Sequence, residues 1–415
     1  MSTPVATAAP TSLRGPGRSL APDLARGAML LLIALANTPW YLYGTPAGLT
    51  TVHPAEGGVL DRVVQAVVIT AVDSRVYPMF AFLFGYGIVQ LHRRQTAAGV
   101  PERDVRRVLR RRHLWMLLLG LLHAGLLWYG DILGAYGLVG LVAVAAFLRR
   151  RDTTLVVWAA VLFSLLATSA VLAVGAAVAL VVLGVPVGSS ESFLELVQGI
   201  NGIESWPASV PVRLGVWPFL VLGQGVLSLV IPICVLLAFW AARHGVLEHP
   251  EQHRLLLRRV AVAGISVAWL GGLPHALHHV GVLGVPDGVS WVFSVTQSVT
   301  GLAGGVGYVA LFGLLAARLG RRGAGSGPVL ALTAVGKRSL SCYLAQSVLC
   351  APLLAAWGLG VGGWLGSAGT AALAVGVWLL TVAGAVALER AGRRGPAETL
   401  LRWLSYPRRA VPRPG

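Results

Sequence analysis

The chain has 415 residues, 56% of them hydrophobic and only 12% charged, with a mean hydropathy of +0.74. A soluble domain is about one quarter charged, so this composition cannot build a water-facing surface, and three cysteines are too few for a disulfide scaffold. In so apolar a chain, a formal charge of +17 marks basic loops against anionic lipid rather than a nucleic-acid surface.

A membrane span needs roughly 20 mostly apolar residues. In chain order, the stretches that qualify are 25–43, 63–91 (a short lead-in, then a helix from Val76), 113–130, 132–148, 154–184, 214–242, 260–280, 291–317, 331–357 and 369–388. Backbone polar groups have no water partner in lipid, so each span must be helical. The predicted fold is an all-α polytopic membrane helix bundle of about ten transmembrane helices. Residues 1–22 are rich in Ala, Pro, Ser and Thr and predict a disordered tail. A transmembrane region over 23–322, a C-terminal unit of two spans over 323–407 and a basic tail over 408–415 follow.

Assigning the loops alternately, with the N-terminus inside, gives 30 Lys and Arg residues to one face and only Arg62, Arg75 and Arg213 to the other. Basic residues favour the cytoplasmic side, so both termini are expected there. The run from His92 to His113 reads as a topology anchor, since no stacking aromatics are interleaved before Trp115. Arg26 and the apolar stretch to Ala34 and Ala36 look like a secretory signal. The charged lead and the continuation through Trp40–Tyr43 favour a retained span.

Polar groups inside lipid are costly and therefore candidates for function. Asn37 lies 11 residues past Arg26, about 16 Å into the membrane at 1.5 Å per residue. His123 lies 11 past Arg112, and Gln346 nine past Lys337. Tyr343 shares a face with Gln346 and Ser347, one turn shallower. If the first, third and ninth spans are neighbours, these groups line one cavity. An imidazole is a general base near neutral pH, so His123 is the leading catalytic candidate; the competing reading is a neutral histidine bonded to a neighbouring helix. Asp131, just past Gly130, either orients that imidazole or caps the next helix. Asp73 and Arg75 read as an interfacial ion pair or a helix start. His275 shares a helix face with His278 and His279, a geometry that could bind a metal, but no carboxylate or cysteine accompanies them save Asp287, so an interfacial polar cluster is expected and no metal site. The glycines of Phe80–Gly87 and Gly301–Gly307 read as close helix contacts.

Five ordered blocks resemble the YeiB-like family of bacterial membrane proteins, which contains a domain of unknown function. They are Arg18–Asp23 with Arg26-Gly27, running to Asn37; the aromatic segment Phe80–Gly87 with Gly85 and Gly87; and Gly120–His123 with Gly130-Asp131 and Tyr136. The fourth runs from Gly336-Lys337-Arg338 through Tyr343 to Gln346-Ser347, and the last is Gly395-Pro396 with Glu398 and Arg402-Trp403. Cys342 departs from the family's more frequent Asn. The resemblance implies a multi-pass protein of a bacterial plasma membrane. The opening block and the ten-span plan are also similar to the transmembrane acyltransferase superfamily, although Asn37 stands where the large acyltransferase branch has a functional His.

That similarity implies transfer of an acyl group from a cytoplasmic donor to a membrane-side or extracytoplasmic acceptor. Arg26, Lys337 and Arg338 would attract the phosphates of acyl-CoA, a co-substrate, with no bound cofactor expected. His123, oriented by Asp131, would deprotonate the acceptor, and Asn37, Tyr343 or Gln346 would donate to the oxyanion. Asp23, Gly27, Gly85, Gly87, Gly336, Gly395 and Pro396 are expected to hold the architecture. The expected partners are anionic inner-leaflet lipids and a small-molecule, lipid or glycan acceptor, with no nucleic acid. The alternatives are a solute transporter or exporter and a non-catalytic scaffold or sensor.

Overall fold

The computed structural model describes residues 19–185, 193–321 and 327–406. The tail predicted over 1–22 lies outside them up to residue 18, and its last residues already begin the first helix. The basic tail 408–415 and the boundary at 322/323 lie outside the described residues.

The chain order is α1 (Leu20–Asn37), α2 (Val59–Ala71), α3 (Val76–Ala97), α4 (Glu102–Leu126), α5 (Leu133–Ala146), α6 (Asp152–Val182), α7 (Phe193–Gly199), α8 (Trp206–Leu222), α9 (Val230–Arg243), α10 (Arg254–His279), α11 (Val292–Arg321), α12 (Gly327–Lys337), α13 (Ser339–Leu354), α14 (Ser367–Arg390) and α15 (Pro396–Ser405). Among the described residues no strand forms, and seven helices are long and apolar enough to cross a membrane. The protein is an all-α polytopic membrane bundle.

Three predicted spans are interrupted. The second breaks at residues 72–75, where Ser74 takes φ 60°. The predicted span 214–242 is two helices, not one. A π turn over Gly223–Leu227 and Leu229 at φ 58° separate α8 from α9. The cause is Pro232, which has no N–H to continue a helix across this point. The predicted span 331–357 divides at Arg338 into α12 and α13, where Lys337 and Arg338 both turn to Glu389 of α14, at 2.5 and 2.7 Å.

Small residues allow the closest helix approaches. Gly27 of α1 lies against the Leu332 carbonyl of α12, and Gly336 of α12 against the Asp23 carbonyl, leaving no room for a Cβ at either. Gly85 of α3 meets Val235 and Ala238 of α9. Helix α9 is buried almost all round and forms the centre of the core. By contrast, α6 turns Val157, Trp158, Leu165, Val171 and Leu172 outward. An apolar surface of that kind is stable only against lipid.

Candidate functional site

Two chambers penetrate the bundle from opposite ends. The larger, about 710 Å³, opens at the basic end. Among its lining residues are Asp23 and Arg26 of α1, Gly87 and Arg94 of α3, Arg112 of α4, Gly336 and Lys337 of α12, Arg338, and Tyr343 of α13. Arg393 and Arg394 of the 391–395 loop and Arg402 of α15 also line it, bringing the cationic side chains to eight. Its three carboxylates already have partners. Asp23 Oδ1 lies 3.4 Å from Arg26. Glu389 pairs with Lys337 and Arg338. Glu398 accepts from the Leu340 and Ser341 N–H groups and the Ser341 hydroxyl at the start of α13. The chamber therefore carries a net positive field suited to a polyanion.

The smaller chamber, about 420 Å³, opens towards the far end. Asn37, Trp40, Thr50, Asp73, Tyr77, Trp128, Gln224, His275 and Gln297 line it. Phe80 lines both chambers.

His123 and Asp131 stand between these chambers but line neither. Both are buried, at 4% and 1% exposure. His123 Nδ1 lies 3.0 Å from Asp131 Oδ1. Asp131 also accepts from the Leu133 and Gly134 N–H groups, at 3.1 and 2.7 Å, and from Trp217 Nε1 at 3.3 Å. The carboxylate therefore both orients the imidazole and caps α5. With Nδ1–H donated to Asp131, the lone pair is left on Nε2, which is buried without a hydrogen-bond partner. The His123 ring centroid is 5.5 Å from that of Tyr343, a residue of the basic chamber's wall.

The expectation that Asn37, His123, Tyr343 and Gln346 share one cavity is corrected. Asn37 faces the far chamber, Tyr343 the basic one, and Gln346 gives its Nε2 to the Leu30 carbonyl at 3.1 Å. Gly395 packs against Ser341 and Glu398, and Pro396 opens α15.

Of the two readings of Asp73 and Arg75, the carboxylate–guanidinium pair does not form and the helix start does, with Arg75 at the N-cap of α3. Asp73 Oδ2 lies 3.0 Å from His53 Nε2. Arg75, fully buried, donates to the carbonyls of Ile69, Asp73 and Ala268 and to Gln297 Oε1. Gly301 and Gly304 of α11 and Gly272 of α10 make space for this hairpin. His275 joins the same network through Gln297 and Thr50. Among the described residues no three His, Cys, Asp or Glu side chains gather around one position fit for a cation.

Residues 241–408 match the family described as "Protein of unknown function (DUF418)". Over that stretch the chain is similar to this family. It is 26% identical over 402 residues to the "Uncharacterized protein YxaH" of Bacillus subtilis (strain 168), covering 92% of this chain and 93% of that protein. It is also 34% identical over 133 residues, 30% of each chain, to the "Uncharacterized protein YeiB" of Escherichia coli (strain K12).

Sequence reasoning alone misses most of the basic chamber. Arg94 and Arg112 read only as topology anchors, yet they line its wall. Glu389 carries its own signal, since a carboxylate at the end of an apolar span needs a cationic partner nearby. In the sequence His113 is the edge of the basic run. It is fully buried against Gly140 and Phe84, with neither ring nitrogen hydrogen-bonded.

Proposed function

We propose that this protein is a membrane enzyme that takes an acyl group from a phosphate-bearing cytoplasmic donor, acyl-CoA, and passes it to an acceptor approaching from the far side. The observation that carries this reading is the basic chamber: eight cationic side chains around about 710 Å³, with its three carboxylates already paired. Guanidinium groups bind phosphate oxygens through paired, charge-assisted hydrogen bonds. The basic end is the cytoplasmic end in this reading. Trp403 and Leu400, exposed on α15, seat that helix among anionic inner-leaflet lipids.

His123 Nε2 takes the proton of an acceptor hydroxyl as its oxygen attacks the thioester carbonyl. The C–S bond breaks, the ester C–O bond forms, and the thiolate leaves with the proton returned by His123. Asp131 holds the imidazole in the required tautomer. For His123 to reach the reacting atoms, the Tyr343 ring, in the chamber wall and 5.5 Å from the imidazole, must swing aside.

The test is incubation of the full chain in lipid nanodiscs with radiolabelled acetyl-CoA. The expected result is saturable binding and label transfer or hydrolysis by the wild type, with transfer lost and binding kept in His123→Ala. Transfer that persists in His123→Ala removes His123 from the chemistry, and absence of binding by folded wild type removes the reading.

The second reading is transport. Its support is the three interrupted spans and the opposed chambers that share only Phe80 as a partition. Solute flux into proteoliposomes without acyl turnover would favour it.

A further inference from the structure

We infer that the far-end chamber is a binding site for a neutral, hydroxyl-rich ring compound, such as a sugar or cyclic polyol. The inference names the class of acceptor and rests on the proposed function only in calling this ligand an acceptor; the site itself is argued from the chamber alone.

The first argument is charge. The ionic groups at the wall are Asp73 and, directly behind it, Arg75, which donates to the Asp73 carbonyl. Of the other titratable groups here, His53 bonds Asp73, His275 bonds both Gln297 and Thr50, His279 stands close to His53 and Asp73, and Tyr77 and Tyr129 line the chamber. One fixed anion beside one fixed cation gives no net preference for an ionic ligand.

The second argument is the direction of the hydrogen bonds. Arginine only donates, so the Gln297 atom 2.8 Å from Arg75 Nη1 must be its oxygen. Gln297 Nε2 then donates to His275 Nδ1 at 2.7 Å, which makes that nitrogen an acceptor. His275 is thereby held with its proton on Nε2 and donates to Thr50 Oγ1 at 2.9 Å. The Thr50 hydroxyl hydrogen remains to be donated, and Thr50 lines the chamber. The wall thus offers one oriented donor at Thr50, one acceptor at Asp73, and the amides of Asn37 and Gln224, which do both. A hydroxyl group is the ligand chemistry that answers donors and acceptors alike.

The third argument is shape. Trp40 and Trp128 line the same space, and the Trp128 indole is stacked on Tyr41 with centroids 5.1 Å apart. An indole held flat in this way suits the apolar face of a saturated ring.

The test is isothermal titration of the full chain, in nanodiscs whose lipids carry no sugar, with methyl α-D-glucoside, choline chloride and sodium acetate. Saturable binding of the glucoside alone is expected, weakened about tenfold in Thr50→Val, the equivalent of one hydrogen bond. Trp40→Leu should weaken it as well. Acetyl-CoA binding at the basic chamber should be unchanged in both variants, so failure here is distinguishable from failure of the donor site. Saturation by choline or acetate instead, no glucoside binding by folded protein, or equal binding by wild type and Thr50→Val would each overturn the inference.

Discussion

Tyr136 braces Phe80 in the partition between the two chambers. Their ring centroids are 4.4 Å apart, and the buried Tyr136 hydroxyl donates to the Tyr77 carbonyl, 2.8 Å away and nearly one turn before Phe80. Phe80→Ala removes the one ring common to both walls. Liposomes containing this variant should leak a small neutral dye that wild-type liposomes retain. Because Phe80 is only half-buried, the stability cost should be about 2 kcal/mol. Tyr136→Phe deletes one hydrogen bond, costs about 1 kcal/mol, and should leave the membrane sealed.

The second prediction separates the two roles of Asp131. This carboxylate accepts four hydrogen bonds, from His123, Leu133, Gly134 and Trp217. Asp131→Ala orphans all of those donors in a buried place and should destabilise the protein by about 3–4 kcal/mol. His123→Ala removes only one of them and should cost about 1–2 kcal/mol. Thermal unfolding in detergent of the two single variants and the double variant gives the coupling energy. Equal losses from both single variants would mean that capping α5 is not the larger part of Asp131's work.

Arg75 supplies the third. Its guanidinium reaches carbonyls on α2 and α10, an amide on α11 and the 72–75 turn at once. Lysine keeps the charge but lacks the planar fork needed to reach them all. Arg75→Lys should therefore cost about 2–4 kcal/mol in thermal unfolding, although the net charge is unchanged. The same variant frees Gln297 to turn over, so the His275 proton should redistribute between Nδ1 and Nε2. Nitrogen NMR of histidine-labelled protein reads that change, which a merely global loss of stability would not produce.

The sequence made some of this legible for physical reasons. Lipid tolerates only helices here, so apolar stretches locate the spans. The link between α4 and α5 covers only residues 127–132, so His123 and Asp131, one on each side of its turn, had to lie close. Depth, however, fixes height and not direction around a helix. Asn37 and Gln346 therefore looked like partners at similar depth, while their side chains face a chamber wall and the Leu30 carbonyl respectively. An apolar run also says nothing about continuity, which hid the breaks at Leu229 and Arg338. Pro232 was the available signal for the first. The pairing of Lys337 and Arg338 with Glu389, 52 and 51 residues away, left no local signal for the second.

The last prediction concerns the basic chamber. Arg394 and Arg402 line it, are exposed, and pair with none of its carboxylates in an ion pair of the bundle. Arg402 lies over the Tyr406 ring at 5.2 Å, which positions it without neutralising it. Replacing both by glutamine should leave unfolding within about 0.5 kcal/mol of wild type, as for other surface changes. Binding of CoA in nanodiscs should fall about tenfold or more, because two charge-assisted contacts to phosphate are lost. Raising salt from low to physiological strength should weaken wild-type binding more than that of the double variant, since screening acts on the charges the variant no longer has. Equal salt dependence in the two proteins would show that these arginines do not face the bound phosphates. Arg338→Gln is the contrasting control: Arg338 is buried and bonded to Glu389 and to the Ala334 and Arg393 carbonyls. Its loss should lower stability by about 3 kcal/mol, so that a fall in CoA binding there would report a disturbed chamber and not a missing contact.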